Sequence, residues 1–445
     1  MYSNLRILLF LWLVSTVGFA QIKVSENRRY LATKDGQPFF WLGDTDWELF
    51  HRLNREEAEE FLEIRRQQGY NVIQAVALAE FDGLRKPNRY GDLPLVNLNP
   101  TQLAATPGEN PANADEYDYW DHVDFVIKKA AEKGLYIGLL PTWGDKVARL
   151  WGDGPRVFNP QNAEVYARTL AQRYAKQWNI LWILGGDRNP KSEAHKAVIR
   201  AMAEGIRKSV GNSQLVTFHP MGGHSSSEFF HADTWLDFNM FQSGHAAFDI
   251  ANYKTAVTDR DKTPTKPVLD GEPRYEDHPV NWKPANGWFE DFDVRQAAYW
   301  SLLSGAAGHT YGNHNIWQMW QQGRQPIAWA RTPWDEAILQ PGATHMGYLR
   351  RLFESRPWQR LLPDQSLVSV PDSSREQVRA ARDAQGSFLF VYVPNGETVE
   401  VSLDKMTGKQ LTGWWFNPRA GVAARIGKLR PGGTKKFDAP GEAFR

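Results

Sequence analysis

The chain has 445 residues, a formal net charge of +1 and no cysteine. That length exceeds one small domain and suits a barrel-sized core plus a smaller unit. Near-neutral charge argues against nucleic acid or an anionic membrane surface as the main partner. The lack of cysteine excludes disulfides, thiolate catalysis, Cys-based zinc sites and a Cys-linked lipid anchor. The 19 tryptophans suit core packing, and some of them suit a groove in which flat rings stack on sugar faces.

The opening MYSNLRILLFLWLVSTVGFAQ reads as an export signal. Arg6 supplies the positive start, Ile7 to Val17 the apolar stretch, and Gly18-Phe19-Ala20 a small-x-small cleavage site. Residues 1–20 are expected to be removed, leaving an exported, periplasmic or secreted protein with no membrane attachment.

Short apolar strands then alternate with amphipathic helices. FFWLGDT (39–45) reads as a strand, and the helix over 54–69 follows, with Asn54 and Gly69 as its caps. YNVIQAVALA (70–79) is the next strand, followed by a long polar insertion, 81–118, and a helix over 120–133. LYIGLLPTW (135–143), a helix over 161–177 and NILWILGG (179–186) continue the series. A helix over 191–209 precedes QLVTFHP (214–220), then WLDFNMFQSGH (235–245) and KPVLDGEPRYE (266–276). A helix over 293–306 and strand AGHTYGN (307–313) close it. About eight apolar strands joined mostly by helices predict an α/β fold, a (β/α)8 TIM barrel over 21–362. An open doubly wound sheet fits less well, because no Gly-rich phosphate loop follows the first strand.

The texture changes at Leu361-Leu362-Pro363. Short strand signals with turns predict a small C-terminal antiparallel β-sandwich domain over 363–445. Val391 to Pro394 and Glu397 to Leu403, flanking a Pro-Asn-Gly turn, are expected to form a hairpin. Trp414 and Trp415 are expected to pack rather than form a second sugar platform. A further strand closing the small domain would be expected where the chain ends at FDAPGEAFR, so a shortened or open edge is expected.

In such a barrel the active site lies at the C-terminal strand ends. In order, those ends offer Asp44, Asp46 and Trp47; Gln74 and Glu80; Trp143 and Asp145; Asp187 and Arg188; His219; Gln242 and His245. The last two offer Asp270, Glu272, Arg274 and Tyr275, then His309, Tyr311, His314 and Trp317. Acids, amides, histidines and aromatic rings together suit a polyhydroxylated ligand. Asp44, Trp47, Gln74, Glu80, Trp143, Arg188, His219, Gln242, His245, Tyr275, Tyr311, His314 and Trp317 are therefore candidate substrate-binding residues. The histidines read as hydrogen-bonding groups rather than metal ligands.

Two carboxylates stand apart. Asp187 follows two glycines, which permit close approach, and Glu272 sits in Gly-Glu-Pro, where Pro273 stiffens the exit. Strands four and seven face each other across a barrel mouth. Glycoside hydrolysis needs such a pair: one group protonates the leaving oxygen, and the other attacks the anomeric carbon or activates water. The alternatives are a helix cap or an Arg188 partner for Asp187, and an Arg274 partner for Glu272. No G-x-S-x-G elbow or P-loop pattern occurs in the barrel.

WLGDTDW, GYNVIQ, WILGGDRNP, TFHPMGG, FNMFQSGH, VLDGEPRYE and HTYGNHNIWQMW occur in order. This set resembles glycoside hydrolase family 140, the apiosidase-like barrel family, over about residues 25–360. The end of the chain, with LTGWWFNPRAG, is similar to the small β domain named for collagen binding that follows such barrels. Collagen binding is not expected of it here. The resemblance implies cleavage between apiose and galacturonic acid in rhamnogalacturonan II, a pectic substrate. It also implies Asp187 as acid/base, Glu272 as nucleophile, a retaining outcome and no cofactor. Asp187 would then need a raised pKa, and Arg188 is expected to turn to a substrate carboxylate or a structural acid. An arabinofuranoside hydrolase on the same barrel, or a non-catalytic carbohydrate-binding protein, is the alternative.

Overall fold

The computed structural model describes residues 21–148, 151, 154–369 and 377–440; the predicted export signal lies outside them. Local sequence sets the helix boundaries. The Asn54 side chain accepts the Glu57 N–H, and the Glu57 carboxylate accepts the Asn54 N–H, both at 2.8 Å. This capping box starts helix α1 (Arg55–Gln68), and Gly69, at φ +95°, ends it. Asp118 with Asp121 starts α2 (Tyr119–Glu132) in the same way, and Asn159 with Asn162 starts α3 (Pro160–Arg173).

The barrel strands are β1 (Trp41–Thr45), β2 (Val72–Val76), β3 (Tyr136–Leu140), β4 (Ile180–Gly185) and β5 (Val216–His219). They continue as β6 (Asn239–Gln242), β7 (Val268–Asp270) and β8 (Gly308–Tyr311). Every residue in them is buried, as expected for parallel strands covered on both faces. The ladder runs β5-β4-β3-β2-β1-β8-β7-β6, all parallel. Between β5 and β6, side chains take over from the ladder. The Asp237 carboxylate accepts the Val216 N–H at 2.7 Å, and the Thr217 hydroxyl donates to the Phe238 carbonyl at 2.7 Å. The predicted barrel is thus nearly closed. A two-residue strand, His224–Ser225, pairs antiparallel with β6. Between barrel and helices lies a large apolar layer that includes Phe61, Trp120, Tyr166 and Met202.

After the barrel come β9 (Leu361–Pro363), β10 (Arg379–Asp383), β11 (Leu389–Tyr392), β12 (Val399–Ser402), β13 (Leu411–Asn417), β14 (Val422–Leu429) and β15 (Thr434–Phe437). They form three small antiparallel sheets: β9-β10-β11, β12-β15 and β13-β14. The hairpin expected around Pro394-Asn395-Gly396 does not form. β11 pairs with β10, and β12 pairs with β15. This arrangement puts Val399 and Val401 of β12 in one core with Leu367, Val378 and Ala380. The packing expected of both neighbouring tryptophans fails for Trp414, which is 51% exposed opposite Arg425 on the β13-β14 hairpin. The small unit meets the barrel through stacked Tyr299 and Tyr392, whose ring centroids lie 4.4 Å apart.

Candidate active site

β4 ends in two glycines because nothing larger fits. A Cβ on Gly185 would lie 2.5 Å from the His219 carbonyl oxygen, and one on Gly186 would lie 2.7 Å from the Trp143 ring. Both have positive φ, and Asp187 follows at φ +55°, a left-handed conformation that aspartate tolerates better than most residues. The turn places Asp187 in the wall of a cavity of about 440 Å³ at the C-terminal mouth of the barrel.

Glu272, just past β7, lines the same cavity. His245 Nε2 donates to its Oε1 at 3.1 Å, and His219 Nε2 lies 3.0 Å from its Oε2. The Asp187 N–H points to His219 Nδ1 at 3.4 Å, which leaves the ring proton on Nε2, facing the carboxylate. Gln74 supports the turn from below by donating to the Gly271 carbonyl at 2.9 Å.

The two carboxyls are driven in opposite directions. Burial raises Asp187 well above the usual carboxylate range, and the negative charge of Glu272 raises it further. Arg188 and a hydrogen bond from Gln242 oppose that rise without cancelling it. Burial would raise Glu272 too, but the His219 and His245 rings that face it outweigh burial and hold the group at about 2. Burial and the adjacent Glu272 carboxylate push the Tyr275 hydroxyl well above its ordinary value.

Of the sequence-predicted residues, Trp47, Glu80, Trp143, Gln242, His245, Tyr275 and Trp317 line the cavity with the two carboxylates. His219 is fully buried behind Glu272. Arg188 is buried rather than open to a ligand. It donates to Glu80 at 2.5 Å and to Asp187 Oδ2 at 3.0 Å, and stacks 3.6 Å from the Trp151 ring centre. Arg188 thus meets a structural acid, Glu80, as expected, but it also turns to Asp187, which it was expected to avoid.

Four other expected binding residues do not line the cavity. Asp44 is fully buried in an ion pair with Arg65 of α1. Gln74 is fully buried, with its amide committed to Gly271. Tyr311 donates to Glu276 at 2.5 Å on the far side of its strand. His314 faces the Ala328 carbonyl through Nε2 at 2.8 Å, and its Nδ1 accepts the Trp317 indole N–H at 3.2 Å. It supports a cavity wall without forming one.

Sequence reasoning missed Trp151, Asn281 and Trp282, all of which line the cavity. Trp282 is 46% exposed and, like Asn281, has positive φ. It lies in the loop after Glu272, a segment in which an exposed aromatic was the available signal. His278, also missed, lies between His245, tilted at 4.5 Å, and His314, edge-on at 4.4 Å between ring centroids.

A (β/α)8 barrel whose Trp-lined mouth holds one carboxyl raised and one lowered has the arrangement of a glycoside hydrolase. The model for "Apiosidase-like, catalytic domain" matches residues 25–360, and the chain belongs to that family. Residues 362–445 match "Putative collagen-binding domain of a collagenase". A solved structure described as "Glycoside hydrolase" is 35% identical, with TM-score 0.84, covering 96% of this chain and 95% of that one. A glycoside hydrolase family 5 structure from Bacteroides vulgatus ATCC 8482 is 33% identical, with TM-score 0.85, covering 96% and 91%. A more distant glycoside hydrolase structure from the same organism, 16% identical with TM-score 0.61, shares the fold. Comparison with curated proteins finds no match.

Proposed function

We propose that this glycoside hydrolase is exported and releases apiosyl groups from rhamnogalacturonan II side chains with retention of configuration. Asp187 is its acid/base and Glu272 its nucleophile. The observation that carries this reading is the placement of the two carboxyls in the wall of one cavity, with His219 and His245 held against Glu272 and Asp187 raised by burial.

Asp187, held protonated, donates its proton to the glycosidic oxygen as that bond breaks. Glu272, held ionised, attacks the anomeric carbon and forms a glycosyl ester. Esterification removes the negative charge of Glu272, one of the causes that raise Asp187, so the Asp187 pKa falls. Asp187 then takes a proton from the incoming water, which displaces Glu272. The cycle returns both groups to their starting states. His219 and His245 accept the carboxylate charge back as it reappears. Trp47, Trp143, Trp282 and Trp317 offer flat faces to the sugar.

Product analysis on purified rhamnogalacturonan II fragments tests the reading. Cleavage at the apiose linkage by the parent, and none by Glu272→Gln, is the expected result. No cleavage by either protein would sink the apiosyl assignment, and a panel of arabinofuranosides would then identify the furanoside.

A further inference from the structure

A second cavity, of about 490 Å³, opens on the same end of the barrel. Its walls come from the segments after β1, β2 and β8: Arg52, the stretch from Phe81 to Arg89, and the stretch from Arg324 to Ile327. Four cations line it: Arg52, Lys86, Arg89 and Arg324. Glu48, buried beneath, occupies Arg52 Nε and His51 Nδ1, both at 3.2 Å, and Asp82 is engaged by Arg85 at 2.7 Å. Lys86 and Arg89 are exposed, and their side chains have no ion pair among the described residues.

Both guanidiniums are held in place by backbone carbonyls. Arg324 donates to the Arg52 carbonyl at 2.6 Å and to the Met319 carbonyl at 2.6 Å. Arg52 donates to the Gln318 carbonyl at 2.6 Å. Burial and the charge of Arg52 pull Arg324 down to about 10. Keeping Arg324 charged in this partly buried cavity costs stability, and an anion in the cavity would offset it.

The cavity adjoins the catalytic one. Phe81, in its wall, packs 5.6 Å from Trp317, which lines the catalytic cavity. The Glu48 N–H donates to the Trp317 carbonyl at 3.1 Å. The Phe81–Trp317 contact therefore sets the two cavities side by side at the barrel mouth.

We propose that this second cavity is an anion subsite that binds the carboxylates of acidic sugars in the same polysaccharide chain, outside the catalytic cavity. The proposal rests on the proposed function only in taking the Asp187–Glu272 cavity as the place where the bond is cut. Arg324 gives the site fixed charge, since Glu48 balances Arg52, while Lys86 and Arg89 form its adjustable rim.

Calorimetric titration with an oligogalacturonide and its carboxyl-reduced counterpart tests this without requiring any cleavage. The titrations are made on the parent and on a Lys86→Ala, Arg89→Ala variant. The parent should bind the acidic oligomer at least about tenfold more tightly than the reduced one, with a preference that shrinks as salt rises. The variant should lose most of that preference while keeping the parent's melting temperature. Equal binding of the two oligomers by the parent would overturn the proposal, and so would a variant that keeps the preference. Inorganic phosphate serves as a control: if it binds with heat while the oligogalacturonide gives none, the acidic-sugar assignment is wrong. Failure of rhamnogalacturonan II cleavage with normal oligogalacturonide binding would remove the proposed function and leave this site standing.

Discussion

His219 Nε2 lies 3.0 Å from Glu272 Oε2 in a fully buried setting, and the same ring meets the Asp187 amide through Nδ1. One imidazole therefore touches both carboxylate-bearing turns. It fixes their relative placement and lowers the pKa of one of them.

The acid limb of the pH profile should follow Glu272. Its carboxyl is held low by His219 and His245, so its ionised form persists well below neutral pH. Replacing His245 by Ala removes one donor and raises the Glu272 pKa. The acid limb of kcat/KM should then move up by roughly one to two pH units. A pH-rate profile of His245→Ala with an unmoved acid limb would contradict the clasp.

The alkaline limb should follow Asp187. Glu80 raises the Asp187 pKa and also engages Arg188, which would lower it. Glu80→Gln removes the first influence and frees the second. Both changes act in the same direction, so the alkaline limb should fall by roughly one unit. The same profile, measured on Glu80→Gln, reads this out.

Asp187→Ala should reduce turnover of a poor leaving group by about 10²–10⁴-fold, the usual contribution of a positioned general acid. An activated aryl glycoside, which needs no protonation to depart, should lose far less in the first step. Equal losses on both substrates would argue against an acid role.

The ion pair between Arg65 and Asp44 is fully buried, and neither residue lines the catalytic cavity. Arg65→Met strands the Asp44 carboxylate and should cost about 3–5 kcal/mol of stability. KM of the remaining folded enzyme should stay at the parent value. Denaturant melts and kinetics on the same sample separate the two effects.

Trp282 projects into the cavity mouth from a left-handed turn. Trp282→Ala should raise KM roughly fivefold to tenfold, in line with the ~1 kcal/mol of an aromatic contact, and leave kcat near the parent value.

The barrel was legible because continuous apolar runs stop at Gly-Gly-Asp and Gly-Glu-Pro, and because Asn54 and Gly69 mark one helix at both ends. Those same strand ends led to Asp187 and Glu272. Side-chain direction was not legible. A strand buried on both faces shows no polar alternation, so nothing in WLGDTDW reveals that Asp44 turns outward to Arg65 while Trp47 turns to the cavity. Tyr311 turns outward to Glu276 in the same way. Asn281 and Trp282 depend on positive φ at two positions that are not glycine, which no local pattern announces. In the small β unit, Pro-Asn-Gly was a sound turn signal. Pairing there was decided by the core, which needs Val399 and Val401 beside β15.

The most direct test of the two-carboxylate mechanism is peptide mass spectrometry of Asp187→Ala stopped during turnover of an activated aryl apioside. The first step should proceed while the second, deprived of its base, stalls. A single pentosyl ester mapped to Glu272 is the predicted result. An adduct on any other residue, or product release with no adduct formed at any stage, would contradict it.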